Sequence, residues 1–239
     1  MAYLNIGSGQ LVADASASER TAFYKRTYLH LGGAILAFVI LESLLVYSGV
    51  AQASFELLRS VGSWAWLVVL LAFMGVAYLA ESWAQSSISK EKQYAGLGLY
   101  VVAEAIIFMP IIYMALNFAP DAKVLSSAAL LTLMLAGGIT ATAFITKKDF
   151  SFLGPILVVG SFIALGLIVA SILFGFNLGL IFFAAMIIFA GAVMLYQTSQ
   201  IIHQYHTEQY VAASLGLFAS VALMFWYIVQ FLMALAGGE

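Results

Sequence analysis

The sequence predicts an all-α membrane protein, a seven-transmembrane helix bundle, and three observations carry that prediction. First, 64% of the 239 residues are hydrophobic and only 8% are charged, whereas soluble domains carry about a quarter charged residues. Second, the mean hydropathy is +1.05, too high for the apolar residues all to lie inside a water-soluble globule. Third, seven separate apolar stretches reach the roughly 20 residues needed to cross the hydrocarbon layer as a helix. No alternating barrel pattern is visible, and a helix satisfies every backbone amide within its own segment.

Taken in order, residues 1–27 read as a polar cytoplasmic tail. Ser8, Gly9, Asp14, Ser16, Ser18, Glu19 and Arg20 supply no apolar core, and no basic start precedes a cleavable apolar run. Residues 28–237 then form the membrane domain. Its spans are expected at Tyr28–Val50, Val61–Ala80, Tyr94–Leu116, Val124–Thr146, Phe152–Leu173, Phe176–Thr198 and Val211–Leu235. The connections are short, so consecutive helices pack antiparallel. Arg20, Lys25, Arg26, Lys90, Lys92, Lys147 and Lys148 fall on the side of the tail, and only Arg59 and Lys123 on the other. That bias predicts a cytoplasmic N-terminus and, after an odd number of crossings, an exported C-terminus. Trp64 and Trp66 are then expected near the outer interface, with Trp83 near the inner one.

Composition also limits function. Nine Lys+Arg against eleven Asp+Glu leave a net charge of −2, which gives nucleic-acid binding no electrostatic basis. With no cysteine there is no disulfide, thiolate metal site or thiol nucleophile. No HExxH, Gly-x-Ser-x-Gly or P-loop motif occurs, and the last span lacks the lysine that a retinal Schiff base requires. The expectation is a non-enzyme without cofactor, whose first partner is the lipid bilayer.

Ionisable groups inside spans are the default place to look for function. Glu104 and Glu42 are the two candidates for an ion or proton site. No Lys or Arg lies in a span interior to pair with them, so each needs a neutral form, a hydrogen-bonding neighbour or a watery cavity. For Glu104 a cation- or proton-responsive role stands beside a structural acid bonded across helices; for Glu42 the structural reading is preferred. Glu81, at the end of its span, reads as an interfacial, solvated group. Pro110 follows Glu104 by six residues and removes the hydrogen bond to the Ile106 carbonyl, which predicts a kink near the acid. In the last span Ala212, Gly216 and Ser220 recur every four residues, a smooth strip that lets helices approach closely. That span is apolar all round, which suits the centre of a bundle. His203, His206 and Glu208 share a loop, but the pattern is weak for metal, and no metal site is expected.

Two segments are more specific. The run Thr146-Lys147-Lys148-Asp149-Phe150-Ser151-Phe152-Leu153-Gly154 resembles one signature of the transmembrane Bax inhibitor motif family. The run Leu195-Tyr196-Gln197-Thr198-Ser199-Gln200-Ile201-Ile202-His203 resembles the second, and is most similar to the bacterial YccA branch. The resemblance covers about residues 20–237. It implies six helices around a central seventh, and a place in the bacterial inner membrane. It also implies two activities. One is service as substrate and modulator of the membrane AAA protease FtsH, which could grip the polar tail. The other is a pH-sensitive calcium or proton leak gated by two aspartates on the last two helices. Those aspartate positions fall on Gln197 and Ser220 here. An amide and a hydroxyl cannot share a proton as paired carboxylates do, so this chain lacks that gating device. Glu104 resembles a third-helix acid of the family and leaves an alternative cation site open.

Overall fold

The computed structural model describes residues 9–86, 89–119 and 121–237. It contains eight α-helices: α1 (Ala17–Tyr47), α2 (Val50–Val61), α3 (Ala65–Ala84), α4 (Lys90–Asn117), α5 (Val124–Thr146), α6 (Leu153–Phe174), α7 (Gly179–His203) and α8 (Tyr210–Gly237). All except α2 are long and apolar enough to cross a membrane, which makes seven candidate spans. Large apolar side chains stand exposed on the outward faces of α1, α5 and α6, among them Leu36, Leu44, Leu133, Val159 and Phe162. In a bilayer these faces meet acyl chains rather than water.

α8 occupies the middle, packing against α1, α3, α4, α5 and α7. Leu217, Met224 and Val229 on this helix are fully buried. α6 stands one helix further out, against α7, and reaches the centre where Ala164 meets Met186 and Tyr227. α4 is as deeply enclosed as α8. Its tightest neighbour is α3, because Gly96 faces Ala80 and Ala84 with no side chain between the backbones. Small residues at such a crossing exchange side-chain volume for backbone contact, which drives association where lipid removes most of the hydrophobic drive. α4 runs unbroken through Pro110, which is buried within it.

The N-terminal region differs from the expected tail. α1 starts at Ala17, eleven residues before the expected first span, because Ser16 and Glu19 form a capping box: the Glu19 amide donates to Ser16 Oγ, and the Ser16 amide and hydroxyl donate to Glu19. Such reciprocal capping satisfies amides that would otherwise be orphaned at the helix start. Ahead of it, the short 3-10 turn Val12–Asp14 is docked on the bundle, with Val12 fully buried. The Val12 amide donates to the Tyr205 carbonyl at 2.9 Å, and the Thr207 amide to the Gln10 carbonyl at 3.0 Å. Residues 9–16 are thus a strap across the α7–α8 loop; residues 1–8 lie outside the described residues.

The connection between the first two spans also differs from a short loop. Gly49 and Gly62, at φ 80° and φ 100°, take left-handed turns open to glycine without steric cost and bracket α2. Ala51, Ser54, Phe55 and Leu58 form its inner face at i, i+3, i+4, i+7 spacing, and the Phe55 ring packs against Tyr113 and Phe118. Val50, Leu57 and Val61 remain exposed beside Gln52, Glu56 and Arg59. A helix with this division lies along a membrane surface rather than through it.

Candidate functional site

A cavity of about 820 Å³ lies between α3, α4, α6, α7 and α8. Its lining follows α8 from Gly216 to Ala234, about 27 Å of helix at 1.5 Å per residue. That is nearly the thickness of a hydrocarbon core. The walls are largely apolar, with Phe73, Ile107, Phe182 and Trp226 prominent. The polar groups are few: Glu81, Tyr100, Glu104, Asn177, Gln197, Ser220, Tyr227 and Gln230.

Glu104 sits near the middle of α4 and is 6% exposed. Tyr100, one turn earlier, sets its hydroxyl against the Glu104 carboxyl and lies within electrostatic range of Glu81 as well. The Tyr100 ring is wedged between Phe73 and Phe218 at 6.2 Å from each, so the phenol is fixed where the two acids can sense it. Glu81 is exposed near the end of α3, as expected of a solvated group, and it also borders the cavity. The cavity contact of Glu81 was not foreseen, because the sequence does not reveal which face of α3 turns towards α4. Its influence extends to Tyr205 in the α7–α8 loop, whose phenol is pushed up to about 12 by burial, with Glu81 and Tyr196 adding to the shift.

Gln197 and Ser220 meet at one point, the backbone of Gly216. A Cβ on Gly216 would stand 2.9 Å from Gln197 Oε1, and the Ser220 hydroxyl donates to the Gly216 carbonyl at 2.9 Å. Gly216 thus provides the recess that the Gln197 amide fills, which gives the small-residue strip a definite task. Ala212 and Ser220 on the same strip are buried. The arrangement brings Glu104, Gln197 and Ser220 to one cavity. Glu42 is not part of it. It is 5% exposed on α1, and neither carboxyl oxygen has a hydrogen-bond partner among the described residues, so the expected bond across helices is not made.

The signature residues do different work: they clasp the α5–α6 loop to the end of α7. The Phe150 amide donates to Ser199 Oγ at 2.9 Å, and Gln204 Nε2 donates to Ser151 Oγ at 2.9 Å. Asp149 Oδ1 accepts from the Ser151 hydroxyl at 2.6 Å and its amide at 2.8 Å. Ser151, with help from His203 and Ser199, holds the Asp149 carboxyl below its usual range. Gly154 leaves room for the Tyr196 ring, which a Cβ would meet at 3.3 Å. Lys147 ends α5 in a left-handed conformation at φ 51°, which costs a residue with a β-carbon about 1–2 kcal/mol and turns the chain sharply into the clasp. Lys148 follows it, exposed, and Phe152 is exposed at the start of α6. Thr198 is buried, its hydroxyl bonded to the Met194 carbonyl.

His203 and His206 do not converge with Glu208. His203 Nδ1 lies 3.0 Å from the Ser199 carbonyl, His206 turns to Gln209, and Glu208 pairs with Lys90 at 3.0 Å. Among the described residues no group of three or more His, Cys, Asp or Glu could hold a metal ion.

Comparison with known proteins gives the chain a family. An uncharacterized protein of Pseudomonas aeruginosa, PA2604, is 31% identical over 175 residues, covering 72% of this chain and 75% of its own length. Two uncharacterized proteins of Neisseria meningitidis, NMA0420 and NMB2020, are 25% identical over 223 residues, covering 90% of this chain and 94% of theirs. Residues 20–237 match the family described as inhibitor of apoptosis-promoting Bax1. The chain is therefore a member of the Bax inhibitor family of membrane proteins.

Proposed function

We propose that this protein handles protons or small cations in a membrane, with Glu104 as the exchanging group and Gln197 and Ser220 at the inner end of its path. The observation that carries the reading is a carboxyl at mid-helix opening on a cavity about 820 Å³ in volume that extends along most of a bilayer's depth. Intramembrane acids facing such cavities mark ion or proton routes. The donor set favours protons over calcium. Calcium takes six to eight oxygen ligands, and this cavity offers two carboxyls, Glu81 and Glu104, with a few neutral oxygens from Asn177, Gln197, Gln230 and Ser220 spread along its length. The di-aspartate gate of the resembling leak proteins has no counterpart here, so the path is not closed by that shared proton.

Purified protein in liposomes should carry proton flux, and Glu104→Gln should lower it at least tenfold. Glu42→Gln, away from the cavity, should leave it intact. Flux no greater than in empty liposomes from pH 6 to 8 refutes the reading.

A second reading is that the protein is a substrate and modulator of the membrane protease FtsH in a bacterial inner membrane, with its N-terminus cytoplasmic and its C-terminus exported. The bacterial relatives and the likeness of residues 195–203 to the YccA branch support it. The grip is confined to residues 1–8, because residues 9–16 are engaged in the strap. Deleting residues 2–8 should lengthen the lifetime of the protein in cells and leave its melting temperature unchanged. An unaltered lifetime, with no co-purifying protease, counts against it.

A further inference from the structure

A second cavity, of about 410 Å³, lies where α1 begins and α5 and α7 end. Arg20 and Thr21 from α1, Lys147 just after α5 and the His203 ring from α7 line it, with Ala13 of the strap closing one side. Two of these side chains, Arg20 and Lys147, are cationic, and no carboxylate lines the cavity. The nearby acids are already engaged or turned away. Asp149 is bonded to Ser151, Glu19 to Ser16 and Gln10, and Asp14 stands exposed on the strap. Among the described residues the ion pair is that of Lys90 with Glu208, so neither Arg20 nor Lys147, both exposed, is tied to a carboxylate. His203 Nδ1 donates to the Ser199 carbonyl at 3.0 Å, which leaves Nε2 of the neutral ring an acceptor, so the donors for an anion are those of Arg20 and Lys147.

The rest of the wall is apolar. Phe144 and Ile202 line it, and the Tyr24 ring stands edge-on to Phe144 at 5.0 Å. Beside it, Ile145 is 80% exposed on the outward face of α5. The cavity therefore joins a cationic floor to a greasy side at the level where the apolar spans end. The Thr21 hydroxyl already donates to the Ala17 carbonyl at 2.8 Å, so the arginine fork and the lysine point charge are the groups that suit a phosphate, and the position is that of the headgroups in the leaflet carrying most of the basic residues.

We propose that this cavity binds a phosphate-bearing anion, the headgroup of an acidic phospholipid, and so ties the strap, the signature loop and α7 together. The proposal is independent of the role of Glu104. Native mass spectrometry tests it on the full-length protein in neutral detergent, with equal amounts of phosphatidylglycerol and phosphatidylcholine of matched chains. The expected result is preferential retention of phosphatidylglycerol. Each basic residue removed should weaken it about fivefold, and Arg20→Gln/Lys147→Gln about twenty-five-fold, while Lys148→Gln, outside the lining, changes nothing. Should the double variant fail to fold, Arg20→Gln alone, which alters an exposed side chain, carries the fivefold test. Displacement of the lipid by millimolar inorganic phosphate supports the anion site and assigns it to a free phosphate; no displacement supports the headgroup. Equal retention of both lipids, undiminished retention in Arg20→Gln, or an equal loss in Lys148→Gln overturns the proposal.

Discussion

Gly96→Ala is the sharpest test of how the cavity wall is built. A Cβ there would stand 2.5 Å from the Ala80 carbonyl oxygen, 2.6 Å from the Ala84 amide nitrogen and 3.0 Å from Trp83 Cβ. Ordinary contact begins at 3.4 Å, so α3 and α4 must part by about 0.9 Å. The obstructing atoms are mostly backbone and cannot rotate aside, which puts the strain near 3 kcal/mol, the upper end for overpacking. Alanine recovers about 1 kcal/mol of helix preference over glycine, leaving a net loss of about 2 kcal/mol. Gly98, two residues on, has nothing within 4 Å of its hypothetical Cβ. Gly98→Ala should therefore gain up to about 1 kcal/mol, so the two variants differ by about 3 kcal/mol. Reversible unfolding in mixed micelles with increasing sodium dodecyl sulfate, followed by tryptophan fluorescence, measures both, and Trp83 reports from the crossing itself. Parting the helices also shifts Glu81 relative to Glu104, so proton flux in liposomes should change in Gly96→Ala alone. Equal stability of the two alanine variants refutes the claim that backbone contact at Gly96 sets the α3–α4 spacing.

Gly216→Ala should displace the Gln197 amide from its recess, 2.9 Å from the new Cβ. Because that atom ends a flexible side chain, the stability loss stays below about 1 kcal/mol while the flux through the cavity changes; wild-type flux in a folded variant argues against Gln197 bordering the path. Val12→Ala removes two buried carbons from the strap, about 1.6 kcal/mol, and should speed hydrogen exchange at the Val12 and Thr207 amides about tenfold, whereas unchanged exchange means the strap does not depend on that side chain. Asp149→Asn should lower the melting temperature slightly at neutral pH. The folded carboxyl is held below its ordinary value of 3.8, so its contribution is fully present above that value and is lost as pH falls through the depressed one. The gap between wild type and variant should narrow as pH falls below 3.8, and a constant gap would show that the carboxylate charge is irrelevant to the clasp.

The spans were legible in the sequence because lipid demands a long apolar run whatever the neighbours. α5 occupies Val124–Thr146 as expected, and α3, α6, α7 and α8 shift by a few residues. α1 and α2 were not legible in the same way. The start of α1 rests on the Ser16–Glu19 capping box, a local device unrelated to hydropathy, and α2 lies along the surface, where twelve amphipathic residues pass for a loop. The site was half visible. Glu104 announced itself as a charge out of place, and Gln197 and Ser220 through the family signature. Glu81 and Tyr100 depend on which faces of α3 and α4 turn inward, and that is decided by the backbone contact at Gly96, which no period in the sequence reveals. Glu42 gave the same signal as Glu104, yet it lies away from the cavity.

The strap has a consequence for biogenesis. Its resting place, the loop from Tyr205 to Thr207, leaves the ribosome only after α7, and α8 follows it into the middle of the assembly. The amino end therefore cannot lock down until α1 to α7 have all been made, so the strap reports on the assembly of seven helices at once.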